Sequence, residues 1–388
     1  MDYSKILNPK VKDMNASGIR KFFDIAATMD DVISLSVGEP DFVTPKIIRD
    51  AGIKTLEAGI TKYTSNRGLE ELRDEISRFI EKKYGVTYSG EDEILVTVGG
   101  SEAIDMAIRA IVSPGDEVII PQPSYVCYEP ITVFSSGVPV IIETKAEDEF
   151  KLKAEDLKAA ITDKTKLLVL PFPCNPTGAI MERKDLEEIA EVIKDTNIMV
   201  LSDEIYAELT YNGIKHSSIA QIPGMKEHTI LINGFSKTFA MTGWRMGYAC
   251  GPKEIIAEMM KIHQYAIMCA PTLSQNAALT ALKECTTEVD EMMASYDKRR
   301  KITVDLLNDA GLSCNMPKGA FYAFPSIKST GLSSDEFCER VLRECHVAVI
   351  PGSSFGAGGE GFIRVCYCYD IEEIKEGVRR IKEFVQKL

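Results

Sequence analysis

Two rhythms of apolar positions alternate along the chain. Short, nearly unbroken apolar runs recur at 93–98 (EILVTV), 117–120, 138–142, 166–170, 198–201 and 229–232, with a further one at 248–250. Runs this apolar read as strands buried on both faces. Between them, apolar residues return every three or four positions. Leu69, Leu72, Ile76, Phe79 and Ile80 line one face of a helix that Gly85 ends. Gly99 and Gly100 turn the first strand into a helix over about 101–111, and Ile371, Ile374, Val378, Ile381 and Phe384 mark the last helix. Strand alternating with helix predicts an α/β fold whose mostly parallel, seven-stranded sheet is covered on both sides.

The pattern shifts near the carboxyl end. The runs FYAF, VAVI and FIRVCY lie close together between 321 and 369 with one helix among them, which predicts a smaller α/β unit. The stretch before residue 43, with Pro40 and Pro45 at its edge, reads as irregular chain crossing from the small unit to the large one.

Composition narrows the function. With 388 residues, 45% hydrophobic and 27% charged, the chain is long enough for two domains. No apolar run approaches the roughly 18 residues of a spanning helix, and MDYSKILNPKVKD has no apolar signal core, so a cytoplasmic protein is expected. A net charge of −13 argues against nucleic acid or an anionic membrane as partner. The ten cysteines form no C-x-x-C pair, and the four histidines, at 216, 228, 263 and 346, lack metal-ligand spacing. Reduced, buried thiols and no metal site are expected.

In parallel α/β sheets ligands bind outside the carboxyl ends of the strands. The residues found there are a Gly99-Gly100-Ser101 turn suited to an anion, Asn175 in PFPCNPTG, Asp203 and Tyr206 in LSDEIY, and Ser236-Lys237 with Arg245 eight residues on. Singly, each is more often structural: a tight turn, a helix cap, a satisfied buried acid. Together they supply what pyridoxal phosphate requires. Its phosphate needs donors and a guanidinium, its aldehyde an amine, its ring nitrogen a carboxylate, and its phenolate a donor.

On SVGEPDF, YTSNRGLEELRDEI, VTVGGSEAI, CNPTG, LSDEIYAELTY, NGFSKTFAMTGWRMGY and GFIRVCY, the whole chain resembles the class I pyridoxal-phosphate-dependent aminotransferases of fold type I. ASGIRKF and the KIHQY run are similar to the N-acetyl-diaminopimelate aminotransferase subgroup. The resemblance implies a large cofactor-binding domain over 46–285, a small domain over 286–388, and residues 1–45 as part of the small one. It implies Lys237 as the Schiff-base lysine and proton shuttle, with Asp203 as partner of the ring nitrogen. Tyr206 and Asn175 become donors to the ring oxygen, and Tyr125 the stacking aromatic. Gly100, Ser101, Ser236 and Arg245 become phosphate ligands. Arg364 is the clamp on the substrate α-carboxylate, and Gly38 the loop residue that lets substrate approach. Tyr63 matches a tyrosine that reaches the neighbouring subunit's phosphate, implying a homodimer.

Two departures stand out. Gly234 replaces the first serine of the S-x-S-K pattern of many relatives, and Ser101 stands where some aspartate-using relatives carry lysine. The expected activity is transfer of an amino group from an L-amino acid to a 2-oxo acid such as 2-oxoglutarate. Aspartate, aromatic amino acids, alanine and an acylated diaminopimelate all remain open as donors. A C–S β-lyase on the same fold is the alternative; a DNA-binding regulator is disfavoured by the acidic charge and the absence of room for an added segment before residue 30. The side-chain pocket is expected to include Ile19 and residues near Tyr265. Burial and Arg245 are expected to lower the Lys237 pKa. Strand alternation puts Arg364, Cys366 and Cys368 on one face, the thiols packed and inert.

Overall fold

The computed structural model describes residues 1–14, 18, 22, 25 and 28–388. Twelve strands are labelled in chain order: β1 (Ile33–Ser34), β2 (Ile94–Thr97), β3 (Glu117–Gln122), β4 (Val138–Glu143), β5 (Thr165–Leu170), β6 (Met199–Asp203), β7 (Thr229–Gly234), β8 (Gly247–Cys250), β9 (Tyr322–Ala323), β10 (Val347–Ala348), β11 (Ile350–Pro351) and β12 (Ile363–Cys366). All seven apolar runs of the first part of the chain enter one sheet, in the order β2-β8-β7-β6-β5-β3-β4. The pairings β4–β3–β5–β6–β7 are parallel, and β8 runs antiparallel to both β7 and β2.

Both sheet faces are covered, which is why the strands carry no polar alternation. Leu167 and Val169 face one core with Ile104, Ile108 and Met259, from helices Gly100–Ile111 and Lys253–Ala266. Leu168 and Leu170 face the opposite core with Leu186 and Ile189 of Arg183–Ile193. The helix over Glu70–Tyr84 buries Leu72, Ile76 and Ile80, and Gly85, left-handed at φ 66°, ends it. The last helix spans Ile371–Val385 and buries Ile374, Val378 and Ile381.

The carboxyl-terminal strands are shorter than their apolar runs. VAVI divides: β10 pairs parallel with β1, while β11 joins an antiparallel sheet β11-β12-β9. Residues 33–38 therefore run along the small unit before the chain reaches the helix Lys46–Glu57. No helix among the described residues is long and apolar enough to cross a membrane.

Candidate active site

The carboxyl ends of β5, β6 and β7 open into a cavity of ≈ 750 Å³, walled on the other side by β9, β12 and residues 37–39. Of the site residues expected from sequence, Gly38, Gly100, Ser101, Tyr125, Asn175, Asp203, Tyr206, Ser236, Lys237, Arg245 and Arg364 all line it. Tyr63 does not; it is 79% exposed on the outside of the chain. Ile19 lies outside the described residues. Tyr265 is 87% exposed and does not line the cavity.

The cavity is buried at one end and open at the other. Asp203 closes β6 at its buried end. Its Oδ2 accepts from Tyr128 Oη at 2.7 Å and its Oδ1 from the Ile205 N–H at 3.2 Å. No cation pairs with it among the described residues. Burial pushes this carboxyl up to about 6, against the pull of those two donors. Behind it, the fully buried Glu204 accepts from Ser202 Oγ, Ser218 Oγ and His216 Nε2.

Lys237 follows β7. Its Nζ donates to Gly38 O at 2.6 Å and lies 5.8 Å and 5.6 Å from the Tyr206 and Phe321 ring centroids. Burial brings its amine down to about 8, opposed by Cys368 and Glu39 and aided by Arg364. The guanidinium that disfavours the ammonium is thus Arg364, not Arg245 as the sequence suggested. Arg245 reaches the cavity's other end.

Arg364, on β12, is 4% exposed. Nη1 donates to Asn175 Oδ1 at 2.8 Å and Nη2 to Ser36 O at 2.6 Å, while the buried Nε has no partner. Because Arg364 takes the Asn175 oxygen, the Asn175 Nδ2 side is left to face the cavity as a donor. Cys366 and Cys368 share the Arg364 face: their thiols approach Ser36 O at 3.5 Å and Val37 O at 3.6 Å, and both are fully buried.

The open end carries groups suited to an anion. Gly99, at φ 77°, starts the helix Gly100–Ile111, whose first N–H groups lack intrahelical partners. Glu102 fixes this turn, accepting from Val98 N at 2.5 Å and pairing with His263 Nδ1 at 2.7 Å. Ser101, Ser236 and Arg245 gather there. Arg245 sits at φ 53°, a left-handed conformation that costs a non-glycine residue about 1 kcal/mol or more. A Cβ on Gly99 would lie 2.7 Å from Arg245 Nη2. The Gly234 departure also has a structural reason: a Cβ there would meet Met246 O at 2.9 Å and Gly247 Cα at 3.2 Å, so β8 leaves no room for serine.

Two tyrosines of the cavity were not among the site residues expected from sequence. Tyr128 had a signal, as the second tyrosine of PQPSYVCYEP, but its contact with Asp203 spans 75 residues. Tyr322, inside FYAF, had none beyond its aromatic character; its Oη lies 2.6 Å from Tyr206 Oη and its ring 4.6 Å from the Arg364 guanidinium carbon.

The family model described as aminotransferase class I and II matches residues 30–381. The chain is 52% identical to YugH of Bacillus subtilis strain 168, over 98% of each chain. It is 46% identical to an aspartate aminotransferase of Pyrococcus abyssi, over 96% of this chain and 97% of that one. The solved structure of an aromatic aminotransferase from Pyrococcus horikoshii OT3 superposes with a TM-score of 0.90 at 44% identity, covering 94% of this chain and 99% of that one.

Proposed function

Since the chain belongs to the class I and II aminotransferases and is an enzyme with aminotransferase activity, we propose that the cavity is its active site and pyridoxal 5′-phosphate its cofactor. The donor is an L-amino acid of the aspartate, aromatic or N-acetyl-diaminopimelate type, and the acceptor a 2-oxo acid such as 2-oxoglutarate.

The residues present fit that cofactor. Asp203 is a buried carboxylate lacking a cation, and a protonated ring nitrogen is the partner it lacks. The cradle of Gly100, Ser101, Ser236 and Arg245 has the donors and charge for a phosphate. When bound, pyridoxal phosphate supplies an aldehyde for an amine and a protonated ring that draws electrons from the donor's Cα.

The chain's own side chains do the rest. Lys237, with its amine lowered to about 8, is substantially neutral at slightly alkaline pH and able to take a proton. Once freed from Gly38 O, its Nζ is the base that removes the donor's Cα proton, a role that typically contributes about 10² to 10⁴ in rate. Arg364 holds the α-carboxylate with its planar fork, which fixes the Cα–H bond that faces Lys237. Tyr206 and Asn175 would donate to the ring oxygen, Tyr125 would cover the ring, and Asp203, ionised at neutral pH, would hold the proton on the ring nitrogen. Gly38 has no side chain to obstruct the donor.

Tyr63 stands outside its own chain's cavity, and Ile53, Leu56 and Ile60, close to it in sequence, are exposed as well. Exposed apolar side chains such as these fit burial against a second copy, with Tyr63 reaching the phosphate end of that copy's site in a cytoplasmic homodimer.

The observation that carries this reading is one cavity holding both an amine depressed by burial and a carboxylate buried without a cation. Lys237→Ala, soaked in pyridoxal phosphate and desalted, should lack the visible absorbance band and transfer no amino groups. Persistence of the band would overturn the assignment. Pyruvate and ammonia released from cystathionine alone, faster than any transfer, would replace transamination by elimination.

A further inference from the structure

The cavity wall holds a phenol that the proposed chemistry leaves unused. Tyr322, on β9, is 1% exposed, and its Oη lies 2.6 Å from Tyr206 Oη. Three neighbours fix its position. The Arg364 guanidinium carbon lies 4.6 Å from its ring centroid, and the Phe321 ring packs edge-on with centroids 4.9 Å apart. On the remaining side the backbone of Gly38 approaches so closely that a Cβ there would lie 2.1 Å from Tyr322 Oη.

Two phenol oxygens this close share one hydrogen bond, so one hydroxyl donates and the other accepts. Gly38 crowds Tyr322 Oη, and among the described residues Tyr206 Oη is the one acceptor within reach of that hydroxyl, which assigns Tyr322 as the donor. With Tyr322 donating, the proton of Tyr206 is left for another acceptor, and both tyrosines line the cavity. Hydrogen bonds in such a chain polarise one another, so a phenol that accepts becomes a stronger donor.

Resting on the reading of the cavity as a pyridoxal phosphate site, we propose that Tyr322 is a positioning residue for Tyr206: its hydroxyl donates to Tyr206 Oη and so directs and strengthens the Tyr206 O–H toward the cofactor's ring oxygen. A donated hydrogen bond stabilises negative charge on that oxygen and weakens its hold on the neighbouring proton. Loss of the donor therefore raises the pH at which the visible band of the loaded enzyme titrates.

The test is a double-mutant cycle on that midpoint, read by absorbance with no substrate present. Tyr206→Phe should raise the midpoint. Tyr322→Phe, which keeps the ring against Arg364, should raise it less, by about half a pH unit, the shift expected for weakening one hydrogen bond. In the Tyr206→Phe background, Tyr322→Phe should add nothing. A Tyr322→Phe midpoint equal to wild type, or two shifts that simply add, would overturn the proposal and leave the site reading intact. A Tyr322→Phe protein that folds but takes up no cofactor would assign Tyr322 to packing and overturn it too. If Tyr206→Phe itself leaves the midpoint unmoved, Tyr206 does not face the ring oxygen, and the site reading fails together with the proposal.

Discussion

Asp203→Asn isolates the charge of the buried acid from everything else in the cavity. The exchange is nearly isosteric: the amide oxygen can still accept from the Ile205 N–H, and the amide NH2, in place of Oδ2, can donate to Tyr128 Oη once that hydroxyl turns to accept. What disappears is the negative charge. Burial raises the carboxyl from 3.8 to about 6, which makes ionisation cost about 3 kcal/mol at 1.36 kcal/mol per unit. On the proposed reading the cofactor's protonated ring nitrogen would offset that cost; asparagine would supply no charge to hold that proton. Removing one member of a buried ion pair typically costs about 3–5 kcal/mol, and lost from the transition state this is a factor of about 10² to 10⁴. The assay is solvent deuterium incorporation at the donor's Cα, followed by proton NMR near pH 8 with saturating cofactor and no acceptor. The visible band should remain while exchange falls by that factor. Exchange within about threefold of wild type, with the band intact, would refute the reasoning. The cofactor-free protein offers a second check. Between pH 3.8 and about 6 the folded chain keeps a proton on Asp203 that the unfolded chain has released. Wild-type stability should therefore fall as pH rises through that window, by up to about 3 kcal/mol relative to the Asn variant. An opposite slope would count against burial as the cause.

Arg364→Lys keeps the charge but loses the planar fork, so KM for the amino donor should rise about 10- to 100-fold in steady-state kinetics, with kcat changing less; an unchanged KM would remove Arg364 from the carboxylate. Gly38→Ala should lower the thermal midpoint, because its Cβ meets Tyr322 Oη at 2.1 Å, a strain of about 1–3 kcal/mol; adding Tyr322→Phe should restore part of the loss. Cofactor uptake by the empty protein, followed by stopped-flow absorbance, should accelerate as pH rises through about 8 and then level off, following the neutral amine of Lys237. A rate flat from pH 7 to 9 would contradict the burial-lowered pKa.

The large sheet was legible because its strands are buried on both faces, so each appears in the sequence as an unbroken apolar run. The short strands were less so. VAVI reads as one strand, yet Val347–Ala348 pairs with Ile33–Ser34 and Ile350–Pro351 pairs with Ile363–Arg364; which neighbour a residue pairs with is decided by chain more than ten residues away. The site followed the same division. Asp203, Lys237 and Asn175 sit at predictable strand ends, whereas Tyr128 and Tyr322 enter through contacts across 75 and 116 residues that no local pattern encodes. The Lys237 environment was misjudged for the same reason: Arg245 is eight residues away along the chain, but Arg364 is the guanidinium that acts on it.

The extended segment after β1 joins two chemistries through its carbonyls. Ser36 O receives Arg364 Nη2 and Gly38 O receives Lys237 Nζ, two residues apart on one stretch of backbone. An amine that lets go of Gly38 O leaves Arg364 Nη2 its own acceptor at Ser36 O. The one short segment is thus a shared wall of acceptors, holding an amine and a guanidinium side by side through peptide oxygens.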